Sequence, residues 1–352
     1  MAEPTDALAE LWRWFAANSC AGYSPLYERL SLAVADDTEL LELVLSAPPS
    51  AHLPASLLAA VHYLLLEGLD HPLAEVYAGR SGDDPVPMFR ELCLSHRDEV
   101  LAILATRHIQ TNDCGRSAVI APGLTWFSAA FDAPFALVDV GTSAGLNLLC
   151  DRYLLDYGEY GTTGPVDSPV RVACRVAGGH PPIAATLAPF ADRIGIDRSP
   201  VDLSDPGDAR WLLACVWPDT GRLERTAASI EVARGQLPRM VAGDANSTLP
   251  EVLAGLGPGT PAVVLTTWSF AYFSKDQRRR FLELLDGASR QRPLGWLSAD
   301  GAGVVDLLAG VSEEDGHRGS NVLGAVLFDH GAHAGTLLAT VQQHGAWLDW
   351  ST

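Results

Sequence analysis

The chain has 352 residues, 48% hydrophobic and 19% charged, with a formal net charge of −19 at pH 7. That size and apolar share suit one large or two modest globular domains, and the acidic balance disfavours duplex nucleic acid and anionic membrane, which select basic surfaces. A single lysine, Lys275, and the lack of a G-x-x-x-x-G-K-[ST] sequence exclude a P-loop mechanism.

The segment Met1–Glu10 is acidic and lacks the layout of a signal peptide. The most apolar window, Leu57–Leu69, is interrupted by His62 and Glu67 and is too short to span a bilayer. Six scattered cysteines form no C-x-x-C pair, which argues against a zinc knuckle or a dithiol motif. The expectation is a soluble, cytoplasmic protein with reduced cysteines, acting on a small molecule.

Helical patterns dominate the first third. Ala7–Ala17 places Leu8, Leu11, Trp12 and Phe15 on one face; Ser24-Pro25 reads as a cap and first turn; Asp37 opens Leu40–Leu45; and Pro54–Glu67 is closed by Gly68. After Pro85-Val86-Pro87, Met88–His108 reads as one long helix. Residues 1–110 are therefore expected to form an α-helical N-terminal domain or cap, and 111–352 an α/β domain.

Phe135–Val138 is an apolar run suited to a strand buried on both faces. It leads into Asp139-Val140-Gly141-Thr142-Ser143-Ala144-Gly145, after which Leu146, Leu149, Tyr153 and Leu154 recur at helical spacing. Further strands are expected at Arg193–Asp197, Val241–Ala245, Ala262–Thr267 and Pro293–Leu297, with closing strands at Val322–Phe328 and Thr336–Val341. The Gly- and Pro-rich stretch 158–189 surrounds a period-two run, Val170–Val176, and predicts an inserted hairpin. Alternation of strands and helices gives an α/β, Rossmann-like, doubly wound and mostly parallel sheet.

Two chemistries share the strand, Gly-rich turn and helix outline. Asp139-x-Gly141-x-x-x-Gly145 resembles the first motif of class I S-adenosylmethionine-dependent methyltransferases, with Ser143 in place of the middle glycine. Gly141-x-Ser143-x-Gly145 also reads as the nucleophile elbow of a serine hydrolase, with Asp300 or Asp306 and His330, His333 or His344 as triad partners in chain order. No oxyanion loop of the H-G-G-G kind and no set of strands precedes Ser143. Acids after three separate strands, Asp139, Asp197 and Asp244, favour the nucleoside reading, since the cofactor offers an ammonium, ribose hydroxyls and an adenine amine to accept from. A non-catalytic nucleoside-binding module is the third possibility.

Over most of its length the sequence resembles a bacterial family known only as a domain of unknown function, with a core similar to class I methyltransferases. The resemblance rests on Thr111-Asn112-Asp113-x-x-Arg116-Ser117, the Asp139–Asn147 motif, Gly195-Ile196-Asp197-x-x-Pro200-Val201-Asp202, Trp211, Trp217-Pro218, Gly243-Asp244 and His344-Gly345-x-Trp347-Leu348-x-Trp350. It implies an S-adenosylmethionine pocket formed by Arg116, Asp139, Gly141, Thr142, Ser143, Gly145, Asn147, Asp197, Asp202, Asp244 and Ala245. Arg116 would bind the amino-acid carboxylate, Asp197 or Asp202 the ribose, and Asp244 the adenine side. Plainer roles are helix capping for Asp202 and the Asn112-Asp113 pair, a turn for Asp244, and a surface position for Arg116. Asn112, Trp268 and Ser269 would face the acceptor. Tyr272 is a candidate base if its hydroxyl ionises readily, and His344 is the preferred base on resemblance alone. Asp329, His330 and His333 read as solvated turn residues, and no metal is expected.

Overall fold

The computed structural model describes residues 4–304, 321–330 and 332–351. These divide into two compact units, Met1–Thr111 with Ser204–Ala227, and Asn112–Leu203 with Ala228–Thr352. The first therefore includes a segment, 204–227, that the sequence reading had assigned to the α/β part.

The first unit is helical. It holds α1 (Pro4–Phe15), α2 (Pro25–Ala35), α3 (Thr38–Leu45), α4 (Pro54–Glu67), α5 (Leu73–Tyr77), α6 (Pro85–Ser95) and α7 (Arg97–Thr106). Ser24 caps α2 by accepting the Tyr27 N–H, Asp37 caps α3, and Gly68 closes α4 in the left-handed region at φ 103°. The expected long helix from Met88 is two helices: it starts at Pro85 under an Asp84 cap and breaks at His96, where φ −111° and ψ 35° leave the helical well. Ser95 Oγ donates to the Glu91 carbonyl at 2.8 Å, a side-chain bond that competes with the backbone ladder at that break. A helix of 204–227, α9 (Pro206–Ala214), adds Trp211 and Ala214 to a cluster with Ala59 of α4. His62 of α4, 2% exposed, bonds the Ala214 carbonyl through Nδ1 at 3.1 Å, and burial lowers its pKa to about 4.

The second unit holds α8 (Ser117–Phe131), β1 (Ala136–Val140), β2 (Leu154–Asp156), β3 (Thr162–Thr163), β4 (Arg171–Ala173), β5 (Arg175–Gly178) and β6 (Asp192–Asp197). Most of α10 (Leu223–Gly235) follows, with β7 (Arg239–Ala242), α11 (Ala245–Ala254), β8 (Ala262–Thr267), α12 (Lys275–Ser289) and β9 (Leu294–Gly301). Three closing strands are β10 (Asn321–Asp329), β11 (Ala332–Val341) and β12 (Trp347–Trp350).

A mixed, mostly parallel sheet runs in the order β5-β12-β11-β10-β9-β8-β1-β6-β7. From β7 to β9 every pairing is parallel. Successive strands are laid down outward from β1 to one side, then from β8 to the other, so the winding direction changes between β1 and β8. Every residue of β1 and β8 is buried, which is why both read as unbroken apolar runs. Ala136, Val138, Val140, Val264 and Trp296 share one core with Leu249 of α11 and with Phe281 and Leu285 of α12. On the other face α8 lies close: a Cβ on Gly123 would stand 2.7 Å from Leu297, and one on Gly295 would overlap Phe127.

Two expectations fail here for physical reasons. The helix after the motif is instead a pair of tight turns over Leu146–Arg152, kinked at Leu149. Asn112 Oδ1 accepts the Leu146 N–H at 2.8 Å and the Tyr153 hydroxyl donates to the Leu146 carbonyl at 2.8 Å, so side chains satisfy what a helix would have satisfied. Leu146, Leu149 and Tyr153 are buried without forming a helix face, and their spacing reflects a segment enclosed on several sides. The run Val170–Val176 is not a hairpin. β4 pairs in parallel with β2 in a small separate sheet, whereas β5 pairs in parallel with β12. Cys174 N–H donates to Asp156 and Arg175 N–H to Ala346, so the chain changes sheets between adjacent residues. Period-two patterning identifies strands without naming their partners.

Candidate functional site

The carboxyl ends of β1, β6 and β8 meet at the change of winding direction. Gly141 leaves β1 at φ 79°, and a Cβ there would collide with Ser269, whose hydroxyl donates to the Val140 carbonyl at 2.6 Å. Close approach and positive φ together require glycine at this position. Ser143 and Trp268 adopt φ 54° and 52°, uncommon for residues with a side chain, and both lie in loops leaving parallel strands. The Gly145 backbone, at φ 75°, lies against Pro238 and Met240.

Asp139 is fully buried. Its Oδ2 accepts the Thr142 hydroxyl at 2.9 Å, while Oδ1 has no hydrogen-bond partner. Burial pushes this carboxyl up to about 7, reinforced by the charge of Asp197 and opposed by Thr142 and the Arg116 guanidinium. Asn147 is likewise fully buried with both amide atoms unpartnered, and so is the Ser117 hydroxyl. Ser117 follows Arg116 at the start of α8, and both α8 and Cys114–Arg116 pack on the Leu146–Arg152 turns that carry Asn147. Folded proteins seldom leave such groups unsatisfied, and these three stand on elements, β1, α8 and the Leu146–Arg152 turns, of which the turns contact both others.

Arg116, 6% exposed, donates from Nε to the Gln343 carbonyl and from Nη1 to the Thr267 carbonyl, both at 3.3 Å, and its guanidinium lies 4.7 Å from the Trp268 ring centre. The surface role for Arg116 is thereby overturned. Trp268 is further fixed by an indole bond to Asn321 Oδ1 at 2.7 Å. His344 joins the same neighbourhood through Asp113, its Nδ1 standing 2.9 Å from Asp113 Oδ2.

Other candidates serve local geometry. Asp197 uses Oδ2 for the Ser143 N–H and Oδ1 for the Ser199 N–H, each at 2.9 Å, so it braces the Gly-rich turn. Asp244 caps α11 through the Asn246 N–H and faces Arg198 at 3.2 Å; Ala245 is the first residue of that helix. Asp202 is exposed. Tyr272 is 88% exposed on the loop after β8. Asp300 is 2% exposed, with burial raising its pKa, and accepts the Ala271 N–H at 3.0 Å and the Gly301 N–H, so it shapes a loop instead of orienting a histidine. Asp306 lies outside the described residues. His330 and His333 are exposed on the β10–β11 hairpin, and among the described residues no group of three or more His, Cys, Asp or Glu is placed to hold a metal ion.

Sequence reasoning did not single out Ser117 or the tie between Asp113 and His344. Ser117 stands beside Arg116 in the resembling motif, which was a usable signal. The Asp113–His344 tie spans 231 positions and left none. A separate cavity of about 800 Å³, lined by Arg152, Phe190, Arg193, Leu237 and Arg239 among others, opens where β6 and β7 begin, at the opposite edge of the sheet.

Fold and site together define a mixed α/β protein with a mostly parallel sheet whose winding changes direction between β1 and β8. Over residues 9–350 the chain matches, and belongs to, the family described as "Uncharacterized protein conserved in bacteria (DUF2332)". No curated protein and no solved structure matches it. Among the described residues no helix is long and apolar enough to cross a membrane.

Proposed function

We propose that the second unit has a class I methyltransferase-like core, binds S-adenosylmethionine where β1 meets β8, and transfers methyl to a small molecule. The observation that supports this best is the set of buried, unpartnered polar atoms at Asp139 Oδ1, the Asn147 amide and Ser117 Oγ. An α-amino-acid head group has matching needs. Its ammonium requires an acceptor such as Asp139, and its carboxylate requires donors such as Asn147, Ser117 and the neighbouring guanidinium of Arg116. Asp197 spends one lone pair of each oxygen on the backbone and keeps the others for ribose hydroxyls. When bound, the cofactor supplies an electrophilic methyl group on a sulfonium. The chain's own contribution is alignment, exclusion of water and proton management.

Isothermal titration with S-adenosylmethionine is expected to give saturable heat, weakened at least tenfold in Asp139→Ala. Absence of both heat and thermal shift in the wild type overturns the proposal. A serine hydrolase is the second reading, favoured specifically by the left-handed Ser143 within Gly-x-Ser-x-Gly after β1. Fluorophosphonate labelling that disappears in Ser143→Ala would establish it. Tight cofactor binding without turnover over a broad acceptor panel would instead favour a non-catalytic nucleoside-binding module.

A further inference from the structure

We propose that the cavity where β6 and β7 begin is a binding site for a small amphipathic carboxylate, a singly charged anionic head on an apolar body. It lies at the opposite edge of the sheet from the Gly-rich motif, and the inference does not depend on the methyl-transfer reading.

The cavity, about 800 Å³, lies wholly within the second unit and has the size that small organic ligands occupy. Arg152, Arg193 and Arg239 line it against two acids, Asp151 and Asp192, so its walls carry a net positive charge in a chain whose total is −19. The three guanidinium groups are not equivalent. Arg193 is committed: it donates to both oxygens of Asp151 at 2.9 and 2.8 Å and to the Leu148 carbonyl at 3.3 Å, and lies 5.0 Å from the Phe190 ring centre. Arg152 meets Asp151 only loosely, its Nε standing 3.5 Å from Oδ2, and its side chain is 46% exposed. The Arg239 side chain makes no hydrogen bond, ion pair or ring contact among the described residues. Two cations therefore remain open to a ligand beside a third that is fixed, and the guanidinium fork matches a carboxylate. With three arginines against two aspartates, a singly charged head is balanced and a phosphate dianion is not.

The rest of the lining suits an apolar body. Leu187 and Phe190 line the cavity with Leu237, which is 50% exposed, and Val166, next to the lining Pro165, is 74% exposed. Apolar side chains left in water beside a charged cavity offer surface that an apolar ligand would bury. The walls are also stiff. Pro165, Pro189 and Pro238 restrict the backbone, and Pro238 packs on Gly145. Gly164, at φ 96°, lies so close to the Tyr153 carbonyl that a Cβ would overlap it, and its N–H donates to the Ala185 carbonyl at 2.9 Å. A ligand entering such a site has little ordering to impose.

Isothermal titration of the full chain with sodium octanoate tests the assignment. Saturable binding is expected, about tenfold weaker for butanoate, which keeps the head and shortens the body, and about tenfold weaker for octanamide, which keeps the body and removes the charge. Arg239→Gln and Arg152→Gln change exposed side chains, so each should leave thermal melting unchanged and weaken octanoate about tenfold. Leu237→Ser should weaken octanoate and leave butanoate unaffected. Absence of saturable binding, or octanamide bound as tightly as octanoate, overturns the proposal. Inorganic phosphate bound as tightly as octanoate overturns the ligand class. Octanoate binding indifferent to both arginine substitutions overturns the location. A protein that binds octanoate in this way but gives no heat with S-adenosylmethionine refutes the proposed function and leaves this site standing.

Discussion

Asp139→Asn should stabilise the ligand-free protein at neutral pH and above, by an amount that depends on pH in a defined way. A carboxyl with an ordinary pKa of 3.8 stands at about 7 in the folded protein, chiefly because burial penalises its charge. The folded state therefore holds its proton more tightly than the unfolded state. The associated stability is fully present below pH 3.8 and is lost as pH rises to 7, at about 1.4 kcal/mol per pH unit and about 4 kcal/mol in all. Asparagine has no such charge to bury. Its NH2 group can face the Oδ1 position while its oxygen keeps the Thr142 hydroxyl, at the cost of one unpartnered donor, on the order of 1–3 kcal/mol. The signature is thus the difference between variant and wild type across pH, since the donor's cost is common to every pH. From pH 5 to pH 8 the variant should gain roughly 2–3 kcal/mol on the wild type, measured by chemical denaturation with fluorescence detection. A gap independent of pH would refute the claim that this carboxyl is buried without compensation. A cationic ligand that pairs with Asp139 supplies the missing compensation, so binding at pH 6 should release close to one proton, visible as a dependence of titration heat on buffer ionisation enthalpy.

Other consequences are separate. His62 is held neutral by burial, with a pKa lowered from 6.5 to about 4, so its contribution is present above pH 6.5 and falls away as pH drops toward 4. About 3 kcal/mol of acid sensitivity should follow, and thermal melts of His62→Gln should be flatter over that range. Gly345→Ala meets both a positive φ and the Gly115 carbonyl, and is expected to cost about 2–4 kcal/mol in thermal denaturation. Gly141→Ala should be similarly destabilising through its collision with Ser269, and Ser269→Gly should restore part of that loss in a double-mutant cycle on thermal stability.

What could be read from the sequence was whatever is encoded locally. Val263–Leu265 and Leu137–Val138 sit in strands covered on both faces, and such strands announce themselves as apolar runs whatever lies beside them. Ser24, Asp37 and Gly68 mark helix ends because capping acts over a few residues. Failures occur where a distant partner decides the outcome. Asn112, far upstream, takes the Leu146 N–H and replaces a helix with turns. The outer side of β12 recruits β5 as the edge strand, making a crossover out of an apparent hairpin. Within the site, the acids at strand ends were correctly noticed as acids but differ in their roles: Asp139 keeps an oxygen unpartnered, whereas Asp197 and Asp244 brace the backbone. That difference depends on which N–H groups the fold brings near each carboxylate.

The same reasoning bears on why the C-terminal turn matters to a site whose motif lies some two hundred residues earlier. Asp113, Gly115 and Arg116 receive His344, Gly345 and Gln343 respectively, one by a side-chain hydrogen bond, one by a backbone approach that excludes a side chain, and one by a carbonyl bond. Arg116 passes the arrangement on to Thr267 and Trp268 at the end of β8. Removing the turn would take one hydrogen-bond partner from the buried Asp113 and one from the buried Arg116 simultaneously, and a buried charged group that loses a partner is costly. Replacing Gln342–Gly345 by alanines should therefore lower thermal stability as strongly as substitution within the Gly-rich motif, and would do so without touching any residue of the motif itself.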